Sequence, residues 1–182
     1  MKNMLVHACC APCSIYTVKY WRSLGIEPVL FFFNPNIHPY SEYLSRRQAL
    51  EQLEQDDGVR IIFAGDYPLT RFLKGAIHPQ ETGFGSRCEF CYGMRLEATA
   101  EIACDAGFSE FSTTLLISPY QQHELVIAEG MRVALAGNLI FAQADLRPGF
   151  RESQNEARTR GYYRQKYCGC LFSELDRRGL PV

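Results

Sequence analysis

Residues 7–13 read HACCAPC and set three thiols, Cys9, Cys10 and Cys13, directly behind the apolar run MLV. A second group, SRCEFCYGMRL, holds Cys88 and Cys91, and a third, YCGC, holds Cys168 and Cys170; of the eight cysteines only Cys104 stands alone. In a reducing compartment thiols stay free, and grouped cysteines there mean metal or redox chemistry rather than a disulfide scaffold. Cys9 and Cys10 precede a helix start marked by Pro12, with Cys13 near its first turn. Unpaired N–H groups and the helix dipole at such an end favour thiolate over thiol. Cys88 and Cys91, separated by two residues where another helix begins, can grip one metal centre from a single turn.

Two thiolates from each loop give four soft ligands, a set that suits zinc and an iron–sulfur cluster alike. A metal-free alternative, in which the cysteines are small core residues, stays open beside them. Adjacent cysteines weigh against zinc, which is usually held by separated pairs. In YCGC a single glycine between two thiols allows a strained, easily reduced disulfide, or a further metal-binding pair. Cys104, inside EATAEIACDAG, reads as core. Asp145 follows a buried strand and precedes Arg147, so it is a candidate metal ligand or proton donor, with a plain ion pair to an arginine as the bland alternative. His7, His38 and His123 read as structural and His78 as a loop residue; none is assigned to catalysis.

Between Leu146 and Lys166 lie Arg147, Arg151, Arg158, Arg160, Arg164 and Lys166 against Glu152 and Glu156, with Phe150, Tyr162 and Tyr163 interleaved. Guanidinium forks pair with phosphates, and aromatic faces stack on unpaired bases, so this stretch is a candidate RNA contact. The net charge of −1 gives no bulk argument for nucleic acid.

These residues need a scaffold. The 182 residues, 47% hydrophobic and 21% charged, suit one soluble domain with a proper core. The longest apolar run, VLFFF, is far too short to cross a bilayer, and MKNMLVHACC lacks a signal peptide's apolar stretch and cleavage site, so a cytoplasmic location is expected. Met4–His7, EPVLFFFN, VRIIFAG, SEFSTTLLI and NLIFAQ read as strands. Helices are expected over SIYTVKYWRSLG, over SEYLSRRQALEQLEQ with Ser41 as N-cap, over residues 68–74, over 89–106 and over PYQQHELVIAEGMRVALAG. Strands alternating with helices predict a single α/β domain whose mostly parallel sheet is flanked by helices. Ligands in such sheets sit beyond the carboxyl ends of the strands, where HACCAPC and DLRPGF fall.

HACCAPC, FFFNPNIHPYSEYLSRR, RCEFCYGMRLE, TTLLISPYQQHE, DLRPGFRE and YYRQKYCGC resemble, in order and over nearly the whole chain, the QueH family of cobalamin-independent epoxyqueuosine reductases. The resemblance implies reduction of an epoxide on the modified wobble base of tRNA to an alkene, the last step of queuosine synthesis. It implies a [4Fe–4S] cluster on Cys9, Cys10, Cys88 and Cys91, and a redox-active Cys168–Cys170 pair. An additional iron would draw on Cys13 and Asp145. The implied fold is that of PP-loop (HUP-like) nucleotide-binding enzymes, with an Arg- and Cys-containing C-terminal segment, residues 146–182, completing the site. Where those enzymes carry a glycine-rich SGGxDS phosphate loop this chain has HACCAPC, so ATP is not expected, and the resemblance implies no cobalamin. The expected partners are tRNA bearing epoxyqueuosine and an unidentified electron donor, with no membrane.

Removing the epoxide oxygen takes two electrons and two protons. An iron site would act as Lewis acid on that oxygen, Asp145 would protonate it, and the CGC dithiol would supply or relay electrons. Two other functions compete: a zinc-stapled RNA-binding module without redox activity, and a thiol–disulfide oxidoreductase working through CGC alone.

Overall fold

Five parallel strands stand in the order β3-β2-β1-β4-β5 in the computed structural model, which describes residues 2–180; the last two residues of the expected 146–182 segment lie outside that range. The strands are β1 (Lys2–His7), β2 (Ile26–Phe32), β3 (Ile61–Phe63), β4 (Glu110–Thr113) and β5 (Ile140–Phe141). Between and after them run α1 (Ala11–Ser23), α2 (Tyr40–Asp57), α3 (Leu69–Ile77), α4 (Arg87–Asp105), α5 (His123–Gly137), α6 (Phe150–Thr159) and α7 (Leu171–Arg177). The chain is a single α/β domain, as its alternating pattern predicts.

A sheet covered on both faces needs apolar residues on both, and β1 and β2 supply them by alternation. Met4, Val6, Leu30 and Phe32 join one buried cluster with Ile15, Val18 and Trp21 of α1 and Leu50 and Leu53 of α2. Leu5, Val29 and Phe31 join the other, with Phe72 of α3, Leu96 and Ala103 of α4 and Val126 and Val133 of α5. His7 continues the Leu5 side, and so does Cys9.

Strand order reverses between β1 and β4, because β1 pairs with β2 on one side and β4 on the other. A doubly wound sheet opens a crevice at that point, outside the strand ends. HACCAPC runs out of β1 straight into it.

Three expectations are corrected locally. The fourth strand ends at Thr113, and residues Thr114–Ile117 form a 3₁₀ turn rather than more strand; the Thr113 hydroxyl accepts the Leu115 N–H and turns the chain over the crevice. Ser41 lies inside α2, whose N-cap is Pro39, and its carbonyl accepts the Ser45 hydroxyl. Cys104 is exposed in the last turn of α4, with its thiol toward the Gly137 carbonyl at 3.6 Å, and so is not core.

Candidate functional site

Cys10 is the N-cap of α1, in extended conformation with Pro12 just inside the helix. That cap faces Cys9 and Cys13 toward one another: the Sγ atoms of Cys9, Cys10 and Cys13 all lie within 4.8 Å, with Cys9 and Cys10 at 3.7 Å. All three are buried, Cys10 to 1% exposure. Partners from across the crevice fix the loop. The Cys9 N–H donates to Thr114 Oγ1 at 3.3 Å, Thr114 Oγ1 reaches the Cys9 sulfur at 3.6 Å, and Gln165 Nε2 approaches Cys13 Sγ at 3.6 Å. Ser153 of α6 donates to the Pro12 carbonyl at 2.5 Å and accepts the Tyr16 N–H at 3.1 Å, so α6 braces the start of α1.

The three thiols share charge unequally. Hydrogen bonds from Cys10 and then Cys13 hold the Cys9 thiol well below the usual range. Burial drives Cys10 up, and hydrogen bonding to Cys10 and Cys9 drives Cys13 up. Within the triad negative charge is therefore favoured on Cys9 over Cys10 and Cys13.

Cys88 and Cys91 sit in the first turns of α4, whose N-cap Ser86 accepts the Glu89 N–H at 3.2 Å while the Glu89 carboxylate takes the Gly85 N–H at 2.8 Å. This reciprocal capping fixes where the helix begins, and with it which way both cysteines face. Burial pushes Cys91 up to about 12, and Cys168, Cys170 and Cys88 act on it electrostatically. Cys91 and Cys170 belong to the same buried cluster as Cys9, Cys10 and Cys13, with Cys88 packed on its edge. Among the described residues only Cys9, Cys10 and Cys13 stand at metal-sharing distance from one another; Cys91 and Cys170 share their buried cluster, while Cys168 is exposed.

The YCGC loop is held by a fully buried arginine. Arg46 of α2, paired with Glu42 at 2.8 Å, donates to the carbonyls of Tyr167 at 3.0 Å and Cys168 at 3.2 Å. Gly169, at φ +108°, gives its carbonyl to the His38 N–H at 2.8 Å. Both cysteines are free thiols here: Cys168 is exposed and 2.9 Å from Ser173 Oγ, while Cys170 is buried and pushed up to about 11 by desolvation.

Two buried groups stand beside the thiols: His7, read as structural from sequence, and Arg95, which the sequence does not single out. His7, fully buried, bonds Thr113 Oγ1 at 3.0 Å and the Phe33 carbonyl at 3.2 Å, and burial lowers it to about 4, so it is neutral. Arg95, 3% exposed, donates to the Cys91 carbonyl at 2.9 Å. Its spacing of seven from Cys88 and four from Cys91 was the available signal, because those intervals fall on one helix face.

The expected RNA segment divides. Arg160 is committed to Asp57 at 2.6 Å and Glu156 at 2.5 Å, and Tyr162 is buried on Asp56; the Tyr163 hydroxyl donates to Glu42. Arg151, Arg158 and Arg164 are exposed, with no ion pair among the described residues. Arg147 is exposed and forms a two-pronged pair with Asp145, both contacts at 2.7 Å. That guanidinium holds the Asp145 carboxyl down at about 2, and the ion pair weighed from sequence as the bland alternative is the contact formed. Both residues line a cleft of about 750 Å³ with Gln121, Gln122, His123 and Gln143. The Tyr92 hydroxyl donates to Gln121 Oε1 at 2.8 Å and accepts the Gln122 N–H at 3.2 Å, which joins this cleft to the residue after Cys91.

The family model described as epoxyqueuosine reductase QueH matches residues 4–176. Proteins named epoxyqueuosine reductase QueH are similar over nearly the whole chain: that of Dehalococcoides mccartyi is 36% identical over 179 residues, covering 98% of this chain and 96% of its own. That of Thermotoga maritima is 34% identical over 184 residues, covering 98% and 93%. That of Helicobacter pylori is 39% identical over 180 residues, 93% of this chain but 49% of its own length, so the chain spans about half of that relative. A solved structure from Methanocaldococcus jannaschii, titled a predicted subunit of tRNA methyltransferase, superposes with a TM-score of 0.56 at 16% identity, covering 97% of this chain and 89% of its own, which speaks to the fold alone. Six motifs in sequence order, a parallel sheet with its thiols at the switch point, and a family match across the domain converge: the chain belongs to the QueH family.

Proposed function

We propose that the chain is an epoxyqueuosine reductase, an oxidoreductase that converts the epoxide of epoxyqueuosine at the tRNA wobble position into the alkene of queuosine, in the cytoplasm. The observation that supports this is the buried Cys9, Cys10 and Cys13 triad at the β1/β4 edge, with Cys91 and Cys170 in the same buried cluster. A donor set made of buried sulfurs fits a thiophilic iron–sulfur centre. Cys9, Cys10, Cys88 and Cys91 would hold a [4Fe–4S] cluster, and Cys13 and Asp145 would serve an additional iron. When bound, the iron supplies Lewis acidity and single-electron transfer.

The chain's own groups account for the rest. The CGC dithiol balances the reaction: the epoxide C–O bonds break, oxygen leaves as water, and Cys168 and Cys170 give up two electrons and two protons in closing a disulfide. An external donor, still unnamed, reopens it. Burial keeps the Cys170 proton in place until it is needed. The cleft lined by Gln121, Gln122 and Gln143 presents amides suited to the edge of an unpaired base. Arg147, Arg151, Arg158 and Arg164 would meet the flanking phosphates of the anticodon loop, while Arg160 and Tyr162 act from beneath by holding that surface in shape.

Reduction of epoxyqueuosine-containing tRNA by anaerobically loaded protein, followed by nucleoside mass analysis, tests the proposal. Queuosine is expected. Intact epoxide after full reduction of the metal centre would refute it. A zinc-stapled RNA binder would be colourless and inactive in the same assay, and a CGC-only oxidoreductase would keep activity in Cys88→Ser and Cys91→Ser.

A further inference from the structure

Arg95 poses an electrostatic problem. Its guanidinium is 3% exposed, and no carboxylate among the described residues pairs with it. Arg46, the other deeply buried arginine, has Glu42 at 2.8 Å, and Cys10 and Cys9 also act on it electrostatically. Arg95 has the Cys91 carbonyl at 2.9 Å and the Tyr92 ring at 5.5 Å, neither of which carries charge. A buried cation is tolerated only where an anion or a strong hydrogen-bond set offsets its lost hydration. The groups that act on it electrostatically are Cys91, Tyr92, Cys9 and Cys168, and Tyr92 is kept neutral by its burial. Sulfur is therefore the remaining counter-charge.

Helical geometry puts Arg95 there. Cys88, Cys91 and Arg95 follow at intervals of three and four along α4, one stripe turned toward the loop that carries Cys9. A neutral thiol does not balance a guanidinium; a set of metal-bound thiolates with net negative charge does.

We propose that Arg95 is a fixed counter-cation of the sulfur-bound centre and raises its reduction potential. It is a positioning residue for charge, not a group that touches substrate. The inference rests on the proposal of an iron–sulfur centre made above. Each electron added makes the centre more negative, and a cation held next to it in a low-dielectric interior stabilises that reduced form. Arg95 thus raises the potential and makes the centre easier to fill from a modest donor.

The test is a redox titration, followed by electron paramagnetic resonance, of anaerobically loaded wild type, Arg95→Lys, Arg95→Gln and Arg95→Met. The two neutral variants differ in volume and polarity, and circular dichroism selects the folded ones for comparison. A neutral variant is expected to have its midpoint moved to more negative potential by at least the equivalent of a tenfold change in the reduction equilibrium, about 59 mV for a one-electron couple. Arg95→Lys is expected to stay near wild type. An unchanged midpoint in a folded, iron-loaded neutral variant overturns the proposal, as does a fall in Arg95→Lys as large as in the neutral variants. Wild type without an iron–sulfide signal would instead refute the centre itself, a result distinct from either.

Discussion

Arg46 reaches from α2 to the carbonyl of Cys168 at 3.2 Å, from a side chain only 1% exposed. The redox loop is thereby anchored through its backbone, which leaves both thiols uncommitted by that contact. The anchor also needs a glycine. At Gly169 the backbone takes φ +108°, and a Cβ there would stand 2.7 Å from Ile37 Cγ1.

Gly169→Ala is expected to lower stability by about 1–3 kcal/mol, the usual cost of a strained backbone position. Dithiol cycling should fall while iron content stays near wild type. Thermal unfolding and thiol counting after oxidation and reduction check it. Full CGC cycling in Gly169→Ala would show that the loop's shape is unimportant.

Arg46→Ala strands Glu42 in the interior and frees the loop. A broken buried pair costs about 3–5 kcal/mol, so a denaturant midpoint well below wild type is expected. An unchanged midpoint would mean that the Arg46–Glu42 pair is not holding the domain together.

Cys170 should titrate late. Its thiol is pushed up to about 11 from an ordinary 9, which means more proton and less thiolate at any pH below that value. At pH 8 only about one molecule in a thousand would carry the thiolate. In Cys168→Ser, alkylation of Cys170 is expected to climb about tenfold per pH unit from pH 7 toward 10. Peptide mapping after brief iodoacetamide treatment reads this directly; a plateau near pH 8 would contradict it.

The arginines of the 147–166 segment should separate by experiment. Arg151→Ala with Arg158→Ala is expected to weaken tRNA binding and to flatten the salt dependence by about 1.4 in logarithmic slope, for two lost phosphate contacts to a single strand. The visible spectrum should not change. Arg160→Ala should instead lower stability with the salt slope intact, because its partners are Asp57 and Glu156. Equal affinities for wild type and the double variant would remove this surface from RNA recognition.

Fold class was legible because β1 and β2 alternate and because each helix ends in recognisable punctuation. Cysteine grouping was legible too, since Cys9, Cys10 and Cys13 lie together in the chain and in space. What failed were places where a distant partner overrides local preference. TTLLI looks like strand, yet the Thr113 hydroxyl turns it over the crevice to meet Cys9. FRESQNEART is charged enough to pass for loop, but Ser153 and Ala157 are buried and seat α6 against α1. No composition marks an arginine as buried: Arg46 emerged only from packing, and Arg95 had no sequence signal beyond its helical spacing from Cys88 and Cys91. Asp145 meets the cation two residues along, Arg147, in the ion pair that the sequence offers as its alternative.

The decisive measurement is iron and acid-labile sulfide content of protein purified without oxygen, for wild type, Cys13→Ser and the pair Cys88→Ser with Cys91→Ser. If two loops jointly grip one cubane, wild type carries stoichiometric sulfide, the α4 pair loses it and Cys13→Ser retains it. Sulfide that survives loss of both α4 cysteines yet vanishes with Cys13 would place the metal on the β1 loop alone and contradict the account.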